Sequence, residues 1–348
     1  MSDLRILLVE DNDTDIGVFK STLELFEEDN GITVHLEMSD NFSGALELIK
    51  NNDFDGVVID LSLNNSDQGG KEIITTIIEE YKITIPIVVY TGTPDDIAEY
   101  DFIEVHEKGK KEGLIAEILM DFKKTKEFGF NDLFNAKGQI QDFLKEVFYK
   151  NIYHQKKQWI AYQDRELVKK AVLRHTLNHL TQHIDETEKK YFLEEMYIYP
   201  PINKNVTTGS IIKENNENIH YIVLTAACDF AQSKARCILL AEIISPNDYI
   251  NKNLPSSVKA STRKARLENV IYKKKQEYHY LPKLNNFNGG FIDFTSIKSY
   301  SLDELSAGFG EVKIQISPFF ISDILGRFSS YYARHGQPDL HHNDNYIA

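Results

Sequence analysis

Three short apolar runs, each stopping at an oxygen-bearing residue, constrain this chain more than any other feature. Leu4-Arg5-Ile6-Leu7-Leu8-Val9 stops at Glu10-Asp11-Asn12, Gly56-Val57-Val58-Ile59 stops at Asp60, and Ile85-Pro86-Ile87-Val88-Val89-Tyr90 stops at Thr91-Gly92. Runs of this kind, rich in β-branched residues and without strict alternation, read as parallel strands buried on both faces. Amphipathic helical patterns lie around them at Asp15–Glu28, Ser43–Asn51 and Lys71–Tyr81. Alternating strand and helix predicts an α/β unit with a doubly wound parallel sheet. In such sheets the chemistry gathers at the carboxyl ends of the strands, and here each of those ends carries a carboxylate or a hydroxyl.

The chain has 348 residues, 42% hydrophobic and 26% charged, which predicts a globular protein of two or three domains. No apolar run approaches the roughly 20 residues of a membrane span. Met1–Val9 has no basic n-region of a signal peptide. The only cysteines, Cys228 and Cys237, have no metal spacing, so a reducing, cytoplasmic setting is expected. Charge is uneven: Met1–Thr125 holds 28 acidic against 10 basic residues, the remainder 25 against 29. The acidic N-terminal part is a poor polyanion binder, and the C-terminal part tolerates one.

Beyond residue 125 the texture changes twice. From Phe130 to Tyr199 no strand signal is visible, and helical stretches stand near Asn131–Tyr149 and Arg165–Asp185. From about Tyr197 short strand-like runs follow: His220–Thr225, Arg236–Ile244, Tyr278–Leu281, Gly290–Phe294 and Val312–Ile316, then a closing helix at Phe319–Ala333. This predicts a small antiparallel barrel or sandwich. The expected organisation is an α/β unit at 1–125, a helical connector at 126–196, a mainly β domain at 197–336 and a flexible tail at 337–348. Pro255–Lys275 is the other expected mobile segment.

Phosphoryl transfer to a carboxylate needs a nucleophilic oxygen, a divalent cation and donors for the phosphoryl oxygens. Glu10, Asp11 and Asp60, at neighbouring strand ends, would repel one another without a cation, and Mg²⁺ takes such oxygen ligands. The segments Ile6–Asn12, Val57–Leu61 and Val88–Gly92, with the later Lys108, resemble the marker set of the response-regulator receiver family over residues 4–124. The resemblance implies a flavodoxin-like fold with Asp60 as phosphoacceptor. It implies that Glu10, Asp11 and Asp60, with the main-chain carbonyl of Ser62, hold Mg²⁺. Thr91 then resembles the hydroxyl donor to the phosphoryl group, and Lys108 the cation that pairs with it. The implied donor is a histidine kinase or a phosphotransfer protein. Three departures point to a rebuilt output face. Gly109 follows Lys108 where the family has proline, Val105 stands at the switch-aromatic position, and Thr91–Lys108 leaves room only for a brief helix near Pro94–Tyr100. The loop after Asp60, Asn64–Gly70, is long and lacks the usual proline.

Other groups carry weaker signals. His175, His179 and His183 share one helical face; two histidines at i, i+4 can bind zinc, but a packed histidine face is the expectation. Lys259, Arg263, Lys264, Arg266, Lys273, Lys274 and Lys275, near Tyr272 and Tyr278, could track a nucleic-acid backbone; a solvated loop between strands is the expectation. Cys228 beside Asp229 is expected to be a core thiol. The C-terminal part resembles small SH3-like barrels of the PemK/MazF kind in strand texture, in Leu224–Asp229 and in its closing helix. The leading functional reading is a response regulator whose receiver controls a non-DNA-binding output domain with an unnamed partner. The alternatives are a receiver-controlled nucleic-acid effector and a phosphorylation-independent scaffold.

Overall fold

The computed structural model describes residues 3–63, 69–92, 94, 103–135, 137–185, 190–254, 258–273 and 276–334, with residues 183–185 and 273 described for their backbone only. The expectations for Asn64–Gln68, for most of Pro94–Tyr100, for the tail, and for Lys274 and Lys275 lie outside these residues. The chain divides into two compact units, Met1–Thr187 and Glu188–Ala348.

The first unit begins with β1 (Leu4–Val9), α1 (Asp13–Asn30), β2 (Val34–Ser39), α2 (Phe42–Asn51), β3 (Gly56–Ile59), α3 (Gly69–Thr75), β4 (Ile87–Thr91), β5 (Glu104–Glu107) and α4 (Leu114–Phe128). The expected helix Lys71–Tyr81 is α3 continued as a π-helical stretch, Thr76–Tyr81. The five strands are parallel, in the order β2-β1-β3-β4-β5. This is a doubly wound sheet whose order reverses at β1 and β3, and such switch points open a crevice at the strands' carboxyl ends.

The pleat explains why the central strands read as unbroken apolar runs. Leu4, Ile6 and Leu8 of β1 and Val58 of β3 pack with Phe19 of α1 and Leu119 and Phe122 of α4. Leu7 and Val9, with Val57 and Ile59, face the opposite way, towards Leu46 and Ile49 of α2 and Ile73 of α3. Successive side chains point to opposite faces of a strand, and helices cover both faces, so apolar residues fill consecutive positions; Arg5 of β1 is the exposed exception. The helices are locally encoded as well. The Asn12 side chain caps α1, accepting from the amides of Thr14 at 2.9 Å and Asp15 at 3.3 Å. Gly31, with φ of +60°, ends it.

Four further helices belong to this unit: α5 (Phe130–Phe134), α6 (Gln139–Val147), α7 (Lys156–Ile160) and α8 (Arg165–Asp185). A π-helical turn, Phe148–Ile152, and a 3₁₀ turn, Tyr153–Gln155, link α6 to α7. They are tied to the sheet unit through polar contacts. Lys137, just before α6, pairs with Asp53 at 3.0 Å, and the Thr84 hydroxyl donates to the Phe134 carbonyl at 2.7 Å.

The second unit is antiparallel. It comprises β6 (Tyr197–Ile198), β7 (Ser210–Lys213), β8 (His220–Val223), α9 (Ala227–Ala231), β9 (Ile238–Ile244), α10 (Pro246–Asn253), α11 (Ala260–Lys273), β10 (Tyr278–Leu281), β11 (Gly290–Tyr300), α12 (Leu302–Gly308), β12 (Ile314–Ile316) and α13 (Pro318–Tyr332). The seven strands run β10-β11-β9-β8-β7-β12-β6. Among the described residues the sheet keeps two edges, β10 and β6, so it is open where a closed barrel was one expectation. Ile222, Ala241 and Ile292 form one face with Ile324 of α13. Tyr221, Val223 and Leu240 lie on the other, with Leu305 of α12.

Three expectations are corrected here. Lys259–Lys273 is not a loop: α11 forms because Leu267, Val270 and Ile271, at helical spacing, pack beside Tyr249, Tyr278 and Phe291. Both cysteines are exposed, because Cys228 sits on the short α9 and Cys237 lies just before β9 reaches the core. Phe130–Tyr199 ends in a strand, since β6 begins at Tyr197 and pairs with β12.

Candidate functional site

The carboxyl ends of β1, β3, β4 and β5 bring the sequence-predicted residues together. Glu10 follows β1 and Asp60 follows β3, both buried. Asp11 is exposed at the rim. Carboxylate oxygens of Glu10, Asp11 and Asp60 all lie within 4.8 Å of one another. Thr91 is the last residue of β4 and is fully buried. Lys108 directly follows β5, and its amide donates to the Thr91 carbonyl at 2.8 Å, extending the ladder by one step. The Ser62 amide donates to Asp60 Oδ1 at 3.3 Å.

Lys108 is the centre of the site's electrostatics. Its ammonium donates to Glu10 Oε2 at 2.6 Å, Asp15 Oδ2 at 2.7 Å and Asp60 Oδ2 at 2.8 Å. An ammonium has three donors, and each finds a carboxylate. Burial alone would pull the Lys108 pKa down, but Asp15, Asp60 and Glu10 outweigh it and hold it above the ordinary lysine value. Glu10 moves the other way for an acid. Burial raises its pKa above the ordinary 4.5, although the hydrogen bond and charge of Lys108 oppose the rise.

Two residues at this site are absent from the sequence reading. Asp15 is the third carboxylate on Lys108, presented from the first turn of α1, where its charge also suits the helix N-terminus. Tyr90 sets its ring 6.0 Å from the Lys108 ammonium, a cation–π distance. It is an aromatic next to the lysine, on β4 and one residue before Thr91. Val105, on β5, packs against the α2–α3 side of the core. Gly109 has a φ of +74°. Proline cannot adopt that angle, so the backbone leaving Lys108 requires the glycine.

Gly70 explains how the loop after Asp60 is seated. A Cβ at this position would stand 2.1 Å from the Asp60 carbonyl oxygen. Only a glycine lets the start of α3 press against the main chain of the acid, and its amide donates to the Leu61 carbonyl at 3.1 Å.

Three carboxylates on one ammonium, with Asp11 beside Glu10 and Asp60, leave the crevice strongly negative and attractive to a dication. The donor set is all oxygen, which suits Mg²⁺ rather than ions that favour nitrogen or sulfur. Among the described residues this is the one acidic group able to hold a metal in this way. No helix of the described residues is long and apolar enough to cross a membrane.

No family model matches the chain, and no curated protein matches it. Solved structures similar to its N-terminal part include receiver domains. A CheY-like response-regulator receiver domain from Methylobacillus flagellatus is 22% identical, over 35% of this chain and 99% of its own, with a TM-score of 0.29. The non-phosphorylated HemR receiver domain from Leptospira biflexa is 28% identical, over 35% of this chain and 93% of its own, with a TM-score of 0.28. The response regulator TrrA from Thermotoga maritima, in complex with Mg²⁺ and BeF, is 19% identical, over 34% of this chain and 98% of its own, with a TM-score of 0.28.

Proposed function

We propose that the N-terminal unit is a phosphoacceptor receiver and that the protein is a response regulator, with Asp60 taking a phosphoryl group from a phosphohistidine on a kinase or phosphotransfer protein. The carrying observation is the convergence of Glu10, Asp11, Asp60 and Lys108 at the switch point of the sheet. An Asp60 carboxylate oxygen forms the new bond to phosphorus as the phosphorus–nitrogen bond of the donor breaks, and the imidazole leaves with that electron pair. Glu10, Asp11 and Asp60, with the Ser62 carbonyl, would hold Mg²⁺, which supplies charge neutralisation for the incoming phosphoryl group. Thr91 donates its hydroxyl to a phosphoryl oxygen. Lys108, already at hydrogen-bond distance from Asp60, exchanges a carboxylate partner for the phosphoryl group. That exchange is the local charge event that would bias a two-state receiver. The second unit is then the output domain.

The test is labelling by a small-molecule phosphodonor with Mg²⁺. Wild type is expected to incorporate close to one phosphoryl group per chain and Asp60→Asn essentially none; equal labelling of the two proteins would sink the proposal.

A second reading, a nucleic-acid effector under receiver control, is favoured by α11. Lys264 and Arg266 are exposed there, as is Lys259 just before it, and Tyr272 is 79% exposed. The full chain is then expected to bind single-stranded RNA with an affinity that falls steeply with salt. Binding that is absent, or unchanged in the triple variant Lys259→Gln/Lys264→Gln/Arg266→Gln, removes this reading.

A further inference from the structure

The helices that follow the parallel sheet hold a second convergence of ligand atoms, remote in chemistry from the acidic crevice. His175 and His179 stand one turn apart on α8, with Nε2 atoms 3.3 Å apart and ring centroids 4.6 Å apart. The side-chain amide nitrogen of Gln155 lies 3.5 Å from the same His175 Nε2. Trp159 of α7 lays its ring 5.8 Å from that of His175, centroid to centroid. Its indole nitrogen is buried without a hydrogen-bond partner. His183, a further turn along, is described for its backbone only.

Spacing at i, i+4 puts two side chains on one face of a helix, but it does not oblige two ring nitrogens to meet. At 3.3 Å a hydrogen bond between them is long for its kind. Two nitrogens on one tetrahedral ion, each about 2.0–2.1 Å from it, stand about 3.3–3.4 Å apart. Half a turn of the Gln155 amide, which exchanges only its nitrogen and oxygen, brings a carbonyl oxygen to the same point. The site thus offers two imidazole nitrogens and one neutral oxygen. This is a borderline donor set that favours Zn²⁺, Ni²⁺ or Cu²⁺ over Mg²⁺.

We propose that His175 and His179, with the Gln155 carboxamide as a third donor, form a binding site for a transition-metal ion of the Zn²⁺ class, water completing the coordination. The ligands carry no charge, so affinity is of micromolar order. An ion here would bridge one turn of α8 and clamp it to the 3₁₀ turn that carries Gln155.

Trp159 is the chain's only tryptophan, so it reports on this site alone. An open-shell ion in contact range of an indole deactivates its excited state, whereas Zn²⁺ does not. The experiment titrates Ni²⁺ into the full chain at neutral pH, with excess Mg²⁺ present to occupy the acidic crevice, and follows Trp159 fluorescence. The expected result is saturable quenching that Zn²⁺ reverses, with a midpoint raised at least about tenfold in His175→Gln and in His179→Gln. His179 is not against the indole, so its variant separates metal loss from altered packing; far-UV circular dichroism checks that both variants fold. Unsaturable or absent quenching, or a wild-type midpoint in folded His179→Gln, overturns the proposal.

Discussion

Replacing Lys108 with methionine is expected to cost the N-terminal unit about 3–5 kcal/mol at neutral pH, the range for removing one partner of a buried ion pair. Adding Mg²⁺ is expected to return part of that loss. The variant leaves Glu10 and Asp60, both buried, without their shared cation. Asp15 is about one-third exposed, so solvent screens it and it adds little. The sign with pH follows from the two shifts. Lys108 has a raised pKa, so its contribution is complete below the ordinary lysine value of 10.5 and fades only as pH climbs through its higher folded value. Glu10 is also raised, so the folded unit holds that proton more tightly than the unfolded chain does, and ionised Glu10 costs stability above about 4.5. Losing Lys108 removes the influences that oppose the rise. The deficit of Lys108→Met must therefore shrink as pH is lowered through the carboxylate range. Urea unfolding followed by Trp159 fluorescence measures this, because the only tryptophan belongs to the N-terminal unit. A deficit that is constant with pH and indifferent to Mg²⁺ would mean the contacts are structural without being electrostatic.

Phe122→Ala is expected to cost a similar amount, about 3–5 kcal/mol, through the cavity it leaves. Phe122 is 1% exposed and lies in the core between α1, α4 and the sheet. The site is shaped around the ring, since a Cβ on Gly56 would stand 2.6 Å from it. The backbone of β3 has thus moved as close as a glycine allows, and no neighbouring side chain can fill the void from that direction. The exposed Phe128 gives the contrast: at 75% exposure, its alanine variant should stay within about 0.5 kcal/mol of wild type. Midpoints from the same urea titration decide. The slope should stay unchanged for Phe122→Ala, which alters stability without altering the surface exposed.

The parts of the N-terminal fold that are legible in the sequence are those where one physical cause dominates. β1, β3 and β4 stand out because both of their faces are covered. β2 and β5 do not. Val34–Ser39 and Glu104–Glu107 lie at the two edges of the sheet, and their polar residues (His35, Glu37, Glu104, His106, Glu107) interrupt the apolar signal. Charge concealed α11 in the same way, since its four basic residues (Arg263, Lys264, Arg266, Lys273) outvote the three apolar ones that dock it. The candidate site reads well where its residues sit at strand ends, at Glu10, Asp11, Asp60 and Thr91. Asp15 escapes notice because nothing local joins it to Lys108, which lies 93 residues away. Only the sheet order makes them neighbours. The exposed cysteines mark the limit of residue-type averages: a residue that is usually buried follows its place, and Cys228 on α9 and Cys237 just before β9 face outward here.

The backbone at Gly109 and the ring of Tyr90 both meet Lys108 directly. Both contacts are made from β4 and from the segment after β5, with no aromatic at position 105.

Chemical location of the acyl phosphate is the most direct measurement of the central claim. The full chain is treated with a small-molecule phosphodonor and Mg²⁺, reduced with borohydride, which attacks aspartyl phosphate and spares free carboxylates, and mapped by peptide mass spectrometry. The account predicts a single reduced site, at Asp60, that disappears when Mg²⁺ is withheld. A reduced site at another carboxylate, or none in protein that is folded and supplied with donor and Mg²⁺, would contradict it.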